Sequence, residues 1–156
     1  MKFSLSREAL LKPLQLVIGV VERRQTLPIL SNVLFSLSDK NLSITGTDLE
    51  VEIVGLTAVS DAEEEGSVTI SARKTLDNCR SLPEGATFKF SSNEGKASIQ
   101  SGKSKFMLST LPASEFPTVD EGEKSLEFSV SGKDLQKLIE STSFAMAQQD
   151  VRYYLN

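Results

Sequence analysis

The sequence predicts an α+β fold in which a second copy of the same folding unit opens late in the chain. Three observations carry this reading. Short stretches alternate apolar and polar residues between turn residues, two segments repeat apolar residues at helical spacing, and residues 3–14 match residues 128–139. Of the 156 residues, 39% are apolar and 24% charged, the proportions of a globular chain, which excludes disordered, collagen-like and coiled-coil classes. No apolar run approaches the roughly 20 residues needed to cross a bilayer, and MKFSLSRE lacks the apolar core of a signal peptide.

The elements follow in order. Lys2–Ser6 alternates as a strand and leads into a helix whose stripe is Leu10, Leu14, Val17, Ile18 and Val21. Pro13 lies inside that stripe, and at about 3 kcal/mol in a regular helix interior it predicts a kink or a later helix start. Arg23-Arg24-Gln25 is a polar connection, and Leu27-Pro28 predicts an extended approach to a strand. Residues 30–38, the turn Asp39-Lys40-Asn41 and residues 42–45 read as a hairpin. Thr45-Gly46-Thr47-Asp48 reads as a turn, followed by a strand carrying Leu49, Val51, Ile53 and Leu56 against Glu50 and Glu52. Residues 61–66 form a solvated acidic loop. After Ser71, an expected N-cap, Ala72, Leu76 and Cys79 make a second helical stripe, closed by Pro83-Glu84-Gly85. Strands are expected around 87–91, 96–100 and 105–109, and the Pro- and acid-rich stretch 111–124 has linker composition.

Beyond it, Phe128-Ser129-Val130-Ser131 repeats Phe3-Ser4-Leu5-Ser6 at an offset of 125, and Leu135, Leu138, Ile139 and Thr142 form a new helical stripe. At this offset Arg24 aligns with Gln149, two long donor side chains just past the stripes of their helices. The expected organisation is a complete domain over 1–120, a linker over 121–125, and the start of a similar domain over 126–156.

The 17 basic and 21 acidic residues give a net charge of −4, distributed in blocks. Residues 1–30 carry five basic and two acidic groups, 31–72 one and eight, 73–110 seven and three, and 111–156 four and eight. Differently charged faces and ordinary surface scatter both fit this pattern. With no histidine, Ser-His-Asp and Cys-His catalysis and HExxH zinc sites are excluded. No phosphate-loop glycine motif, GxSxG or cluster of metal ligands stands out, so no catalytic residue, metal or cofactor is expected. Asp48, Glu50 and Glu52 could bind a cation from one strand face but read better as its solvent side. The single cysteine excludes an internal disulfide, fits a reducing cytoplasm, and reads as a core residue.

Long cationic and amide donors that project together suit phosphate contacts, which bind without reading base sequence. The candidates are Lys12 and Gln15 on the first helix, Arg24, Arg73 and Arg80 (the last two seven apart on one helix face), and Gln149, Arg152, Tyr153 and Tyr154. In Lys103-Ser104-Lys105-Phe106-Met107-Leu108, Phe106 and Leu108 face one way and Lys105 and Met107 the other, as in an edge strand that is either protected or a pairing surface for another chain. Lys74 could extend this basic rim.

Six stretches together resemble the bacterial DNA polymerase III beta subunit family of sliding clamps: MKFSLSREALLKPLQ, TLPILSNVLF, LSITGTDLEVEI, ISARKTLDNCRSLPEG, SGKSKFMLSTLPASEFP and FAMAQQDVRYYLN. The resemblance spans all 156 residues. It implies a DNA-clamp fold, with three similar α+β domains per subunit, helices on one face of antiparallel sheets, and two subunits closing head to tail around duplex DNA. It implies DNA contacts from Arg24, Arg73, Gln149, Tyr153 and Tyr154, with Lys12, Gln15 and Arg80 as weaker candidates. It places Lys74, Lys103, Lys105, Phe106 and Leu108 at the subunit interface of a homodimer. Arg152 and Leu155 would edge the groove for peptides of the polymerase III catalytic subunit and the clamp loader. The implied role is non-catalytic, without membrane contact, and on this reading the chain lacks most of domain two and all of domain three. A free-standing interaction or regulatory module of the same fold is the alternative, and a carboxylate-dependent enzyme a third reading. Limited proteolysis of the isolated chain is expected to leave a resistant core over roughly residues 1–120; equal resistance across 126–156 would contradict the domain assignment.

Overall fold

A computed structural model describes residues 1–21, 27–118 and 126–147. Its contacts divide the chain into two units, Met1–Asp120 and Glu121–Asn156. In the first unit, β1 (Lys2–Ser6) turns directly into α1 (Arg7–Val17), where the Ser6 hydroxyl caps the helix by accepting the Ala9 N–H at 3.2 Å. There follow β2 (Asn32–Ser38), β3 (Asn41–Thr47) and β4 (Glu52–Ala58), then the short β5 (Asp61–Glu64). The sequence of elements then repeats: β6 (Gly66–Ser71) runs into α2 (Ala72–Ser81), followed by β7 (Thr87–Asn93), β8 (Lys96–Ser101) and β9 (Ser104–Leu111). The unit is thus two strand-helix-strand-strand-strand runs, with β5 between them.

The two runs exchange their first strands. β1 pairs with β7 of the second run, and β6 pairs with β2 of the first. All pairings are antiparallel, in the order β4-β3-β2-β6-β9-β8-β7-β1-β5. Period-two alternation sends one side of each strand inward, onto a single core shared with the helices. Phe3 of β1 stacks on Phe90 of β7 with ring centroids 5.0 Å apart, and Phe35 of β2 meets Phe90 at 5.6 Å. These rings join the two halves of the sheet, and burying each contributes on the order of 2 kcal/mol.

Several expectations are corrected. Pro13 neither delays nor ends α1; it is buried mid-helix, opposite Gly55 of β4. A Cβ at residue 55 would lie 2.7 Å from the Pro13 Cβ, so the missing side chain is what admits the proline ring. Leu27 is extended, as a residue before proline should be, but Pro28–Ser31 forms a 3-10 turn before the strand begins. Thr45, Gly46 and Thr47 belong to β3, and the turn lies later. Asp48 Oδ1 accepts the N–H groups of Glu50 at 2.9 Å and Val51 at 2.7 Å, with Leu49 at φ 82°. Asp48 and Glu50 therefore do not share a strand face with Glu52. The acidic loop is strand β5, paired with β1. Its charges suit an edge, since they discourage pairing with other chains. Met1 bridges Glu64 through its amino group at 3.3 Å, and Lys2 bridges Glu63. The linker-like stretch is partly anchored: Phe116 is buried after a short 3-10 turn at Ala113–Glu115.

In the second unit α3 (Gly132–Ser143) forms where the repeat predicts a helix, but residues 126–131 make no strand. A strand needs a ladder partner, and the described residues of this unit supply none. Leu135, Leu138 and Ile139 are exposed.

The Pro13–Gly55 contact yields a direct check. Gly55→Ala should destabilise the folded unit by about 1–3 kcal/mol through overpacking against proline backbone, read as a lower midpoint in urea unfolding; an unchanged midpoint would show that the contact relaxes freely.

Candidate nucleic-acid interface

The helix pair is held at both ends. At the start of α1, the Arg7 N–H donates to Ala86 O at 2.8 Å and Arg7 Nε to Cys79 O at 3.1 Å, while Glu8 accepts the Gly85 N–H at 3.1 Å. That last bond, with the Arg7 guanidinium 3.2 Å from the same carboxylate, holds Glu8 below its ordinary pKa. At the other end, Arg73 Nη2 of α2 donates to Val21 O, just beyond α1, at 3.2 Å. The start of one helix thus meets the end of the other, an antiparallel pair. Inward, α1 buries Leu10, Pro13, Leu14 and Val17, and α2 buries Ala72, Thr75, Leu76 and Cys79.

The outward side carries Lys12, Gln15, Arg73, Lys74 and Arg80, all exposed. The sequence-predicted donors of the two helices are therefore brought onto one helix pair. Asp77, also exposed, lies on α2 between Arg73 and Arg80 and tempers their field, a feature the search for cations alone passes over. Arg24, Gln149, Arg152, Tyr153, Tyr154 and Leu155 lie outside the described residues.

Lys74 faces a different feature. With Pro28, Asn32, Ser71, Leu108, Ser109 and Leu111 it lines a cavity of about 260 Å³ where β6 and β9 diverge. β9 pairs with β8 along Ser104–Ser109 but reaches β6 only at Thr110 and Leu111. Among the described residues, one backbone edge of β9 is consequently unpaired over most of its length, in keeping with the edge strand that the alternation suggested. Phe106 and Leu108 are half-buried against the core, while Lys105 and Met107 are exposed. Lys103 is exposed in the β8–β9 turn and lines a separate shallow cavity with Lys89 and Ser104. The Thr69 hydroxyl donates to Leu111 O at 2.9 Å, closing the short β6–β9 seam.

Cys79 is fully buried, and desolvation pushes its thiol up to about 11, with the Arg7 charge opposing. Its Sγ lies 3.6 Å from Arg7 O, where a protonated thiol can donate. Among the described residues no group of three His, Cys, Asp or Glu side chains is placed to hold a metal ion, and no helix is long and apolar enough to cross a membrane.

The described residues thus form a duplicated α+β unit with long polar and cationic side chains spread over an exposed helix pair. Residues 1–120 match the family model described as DNA polymerase III beta subunit, N-terminal domain. The whole chain is 59% identical to the beta sliding clamp of Pseudomonas aeruginosa and 49% identical to that of Escherichia coli K12, spanning 42% and 43% of those proteins. It superposes in full on 42% of a Pseudomonas aeruginosa sliding clamp crystallised with griselimycin, with a TM-score of 0.94 and 59% identity, and on 42% of the Caulobacter crescentus pol III beta chain, with 0.93 and 40%. The chain belongs to the DNA polymerase III beta subunit family, and it spans less than half the length of these relatives.

The buried thiol has a measurable consequence. At pH 8, alkylation of Cys79 in the folded protein should run at least roughly 100-fold slower than in urea, given two units of lowered acidity on top of burial. The raised pKa also carries a stability dependence: the folded state binds the thiol proton more tightly, so this contribution is intact below about pH 9 and lost as pH rises towards about 11. A thiol that reacts as fast folded as unfolded would contradict both statements.

Proposed function

We propose that this chain is the N-terminal part of a sliding-clamp subunit that encircles duplex DNA and tethers the replicative polymerase. Residues 1–120 act as the first clamp domain, 121–125 as a linker, and 126–156 as the opening of the second. The observation that carries this reading is the antiparallel helix pair, which buries its apolar stripes and turns Lys12, Gln15, Arg73 and Arg80 outward. Arg24, Gln149, Tyr153 and Tyr154, outside the described residues, are proposed as further DNA contacts on the family resemblance. The donors are few, exposed and distributed, so they interact with phosphates without fixing one register, and a ring held this way can slide. The role is topological and non-catalytic, exercised in the cytoplasm.

The open edge of β9, with Lys74, Lys103, Lys105, Phe106 and Leu108 around it, supports closure of a homodimeric ring. Backbone groups on an unpaired edge accept a strand from a partner, half-buried apolar side chains extend its core, and lysines favour an acidic opposing surface. Arg152 and Leu155 border the groove for peptides of the polymerase III catalytic subunit and the clamp loader.

The test uses the full-length protein. Arg24→Ala, Arg73→Ala and Gln149→Ala together should weaken duplex binding at least about tenfold and flatten the slope of log affinity against log salt by roughly 0.9 for each lost phosphate contact. Wild-type affinity and slope in this triple variant would refute the contact assignments.

A further inference from the structure

Helix α1 ends without a basic residue in its last turn, so its negative dipole end has no cation of its own. The chain beyond is nevertheless held. Val20 N–H bonds to Val17 O and Val21 N–H to Ile18 O, both at 3.2 Å, and Val20 and Val21 are buried. Beneath them lies Gly46 of β3: a Cβ there would stand 2.5 Å from Val17 Cγ1, 3.2 Å from Val20 Cγ1 and 3.3 Å from Val21 Cγ2. The Arg73 guanidinium of α2 also reaches this exit, donating to Val21 O at 3.2 Å. Residue 21 is the last before the segment 22–26, which carries Arg24.

We infer that Arg73 is a positioning residue, an inter-helix strut that clamps the exit of α1 at Val21, three residues before Arg24 in the sequence. This deepens the DNA-binding reading and rests on it for its functional consequence, but not for the strut itself. A guanidinium suits the task because its fork presents five N–H donors: one can hold the Val21 carbonyl while others remain directed outward. A lysine ammonium has three donors but no planar fork, so it is less well pre-organised to hold the carbonyl while facing outward. The charge also supplies the cation that the end of α1 lacks.

The experiment is amide hydrogen exchange at Val20 and Val21 in DNA-free full-length protein, with duplex affinity measured alongside. In Arg73→Ala, exchange at these two amides should accelerate about tenfold, the effect of losing one charge-assisted hydrogen bond, with the global unfolding midpoint held. Arg73→Lys keeps the charge without the planar fork, and Val20 and Val21 should exchange faster than in the wild type. Arg24→Ala lowers DNA affinity with exchange unchanged. Unaltered protection of Val20 and Val21 in Arg73→Ala overturns the strut, whatever happens to affinity. Accelerated exchange in Arg73→Ala, together with DNA affinity that none of these variants changes, upholds the strut and removes the DNA-facing role instead.

Discussion

The antiparallel pinning of α1 against α2 is the constraint on which the rest of this structure depends. Bonds from Arg7 and Glu8 at one end and from Arg73 at the other set how far each helix lies along its neighbour. With both ends held, the inward stripes settle on the core and the outward residues have no freedom to exchange roles with them. Lys12, Arg73 and Arg80 are all exposed, which avoids the desolvation that burying charge would cost. Two glycines make the arrangement fit. Gly55 admits the ring of Pro13 and Gly46 admits the valines at the helix exit, so β3 and β4 lie closer to α1 than strands with side chains there could.

The sheet ends differ in character, and the differences follow from chemistry along single strands. β5 is almost wholly acidic and is joined to β1 by bridges from Met1 and Lys2. Such an edge repels other strands. β9 has the opposite character, half open along its backbone, with apolar side chains facing the core and lysines facing out. β4 exposes Val54 and Leu56. A sheet that guards one edge with charge and leaves others apolar or open is organised for directional contacts, in keeping with membership of a family whose proteins are described as clamps.

Much of this was legible along the chain, in particular places. The hairpin was readable because Asp39-Lys40-Asn41 stands between stretches of clear alternation; the structure narrows the connection to Asp39-Lys40, with φ of 49° and 60°. The stripes of α1 and α2 were readable because helical periodicity needs no knowledge of what covers it. The duplication inside residues 1–111 escaped notice because its two runs share an order of elements more than a residue pattern: Leu10 and Leu14 of α1 stand where α2 has Thr75 and Cys79. The common signals are few: the alternation of Phe3 and Leu5 against Val68 and Ile70, Leu11 against Leu76, and a serine at each strand-to-helix junction, Ser6 and Ser71, of which only Ser6 caps through its side chain.

The sequence by itself determined the α+β class, the outward donors of both helices, the core position of Cys79 and the family. Each of these rests on residues near one another in the chain, or on matches along it. Only the tertiary structure decided that Pro13 stays within α1, that Asp61–Glu64 is a strand, that β9 keeps an open edge, and that Arg73 reaches Val21. Those outcomes depend on partners far along the chain (Gly55 for Pro13, β1 for β5, β6 for the end of β9, α2 for the exit of α1). Local propensity has no term for a neighbour that folding alone brings near, and at each of these places that neighbour supplied the deciding energy.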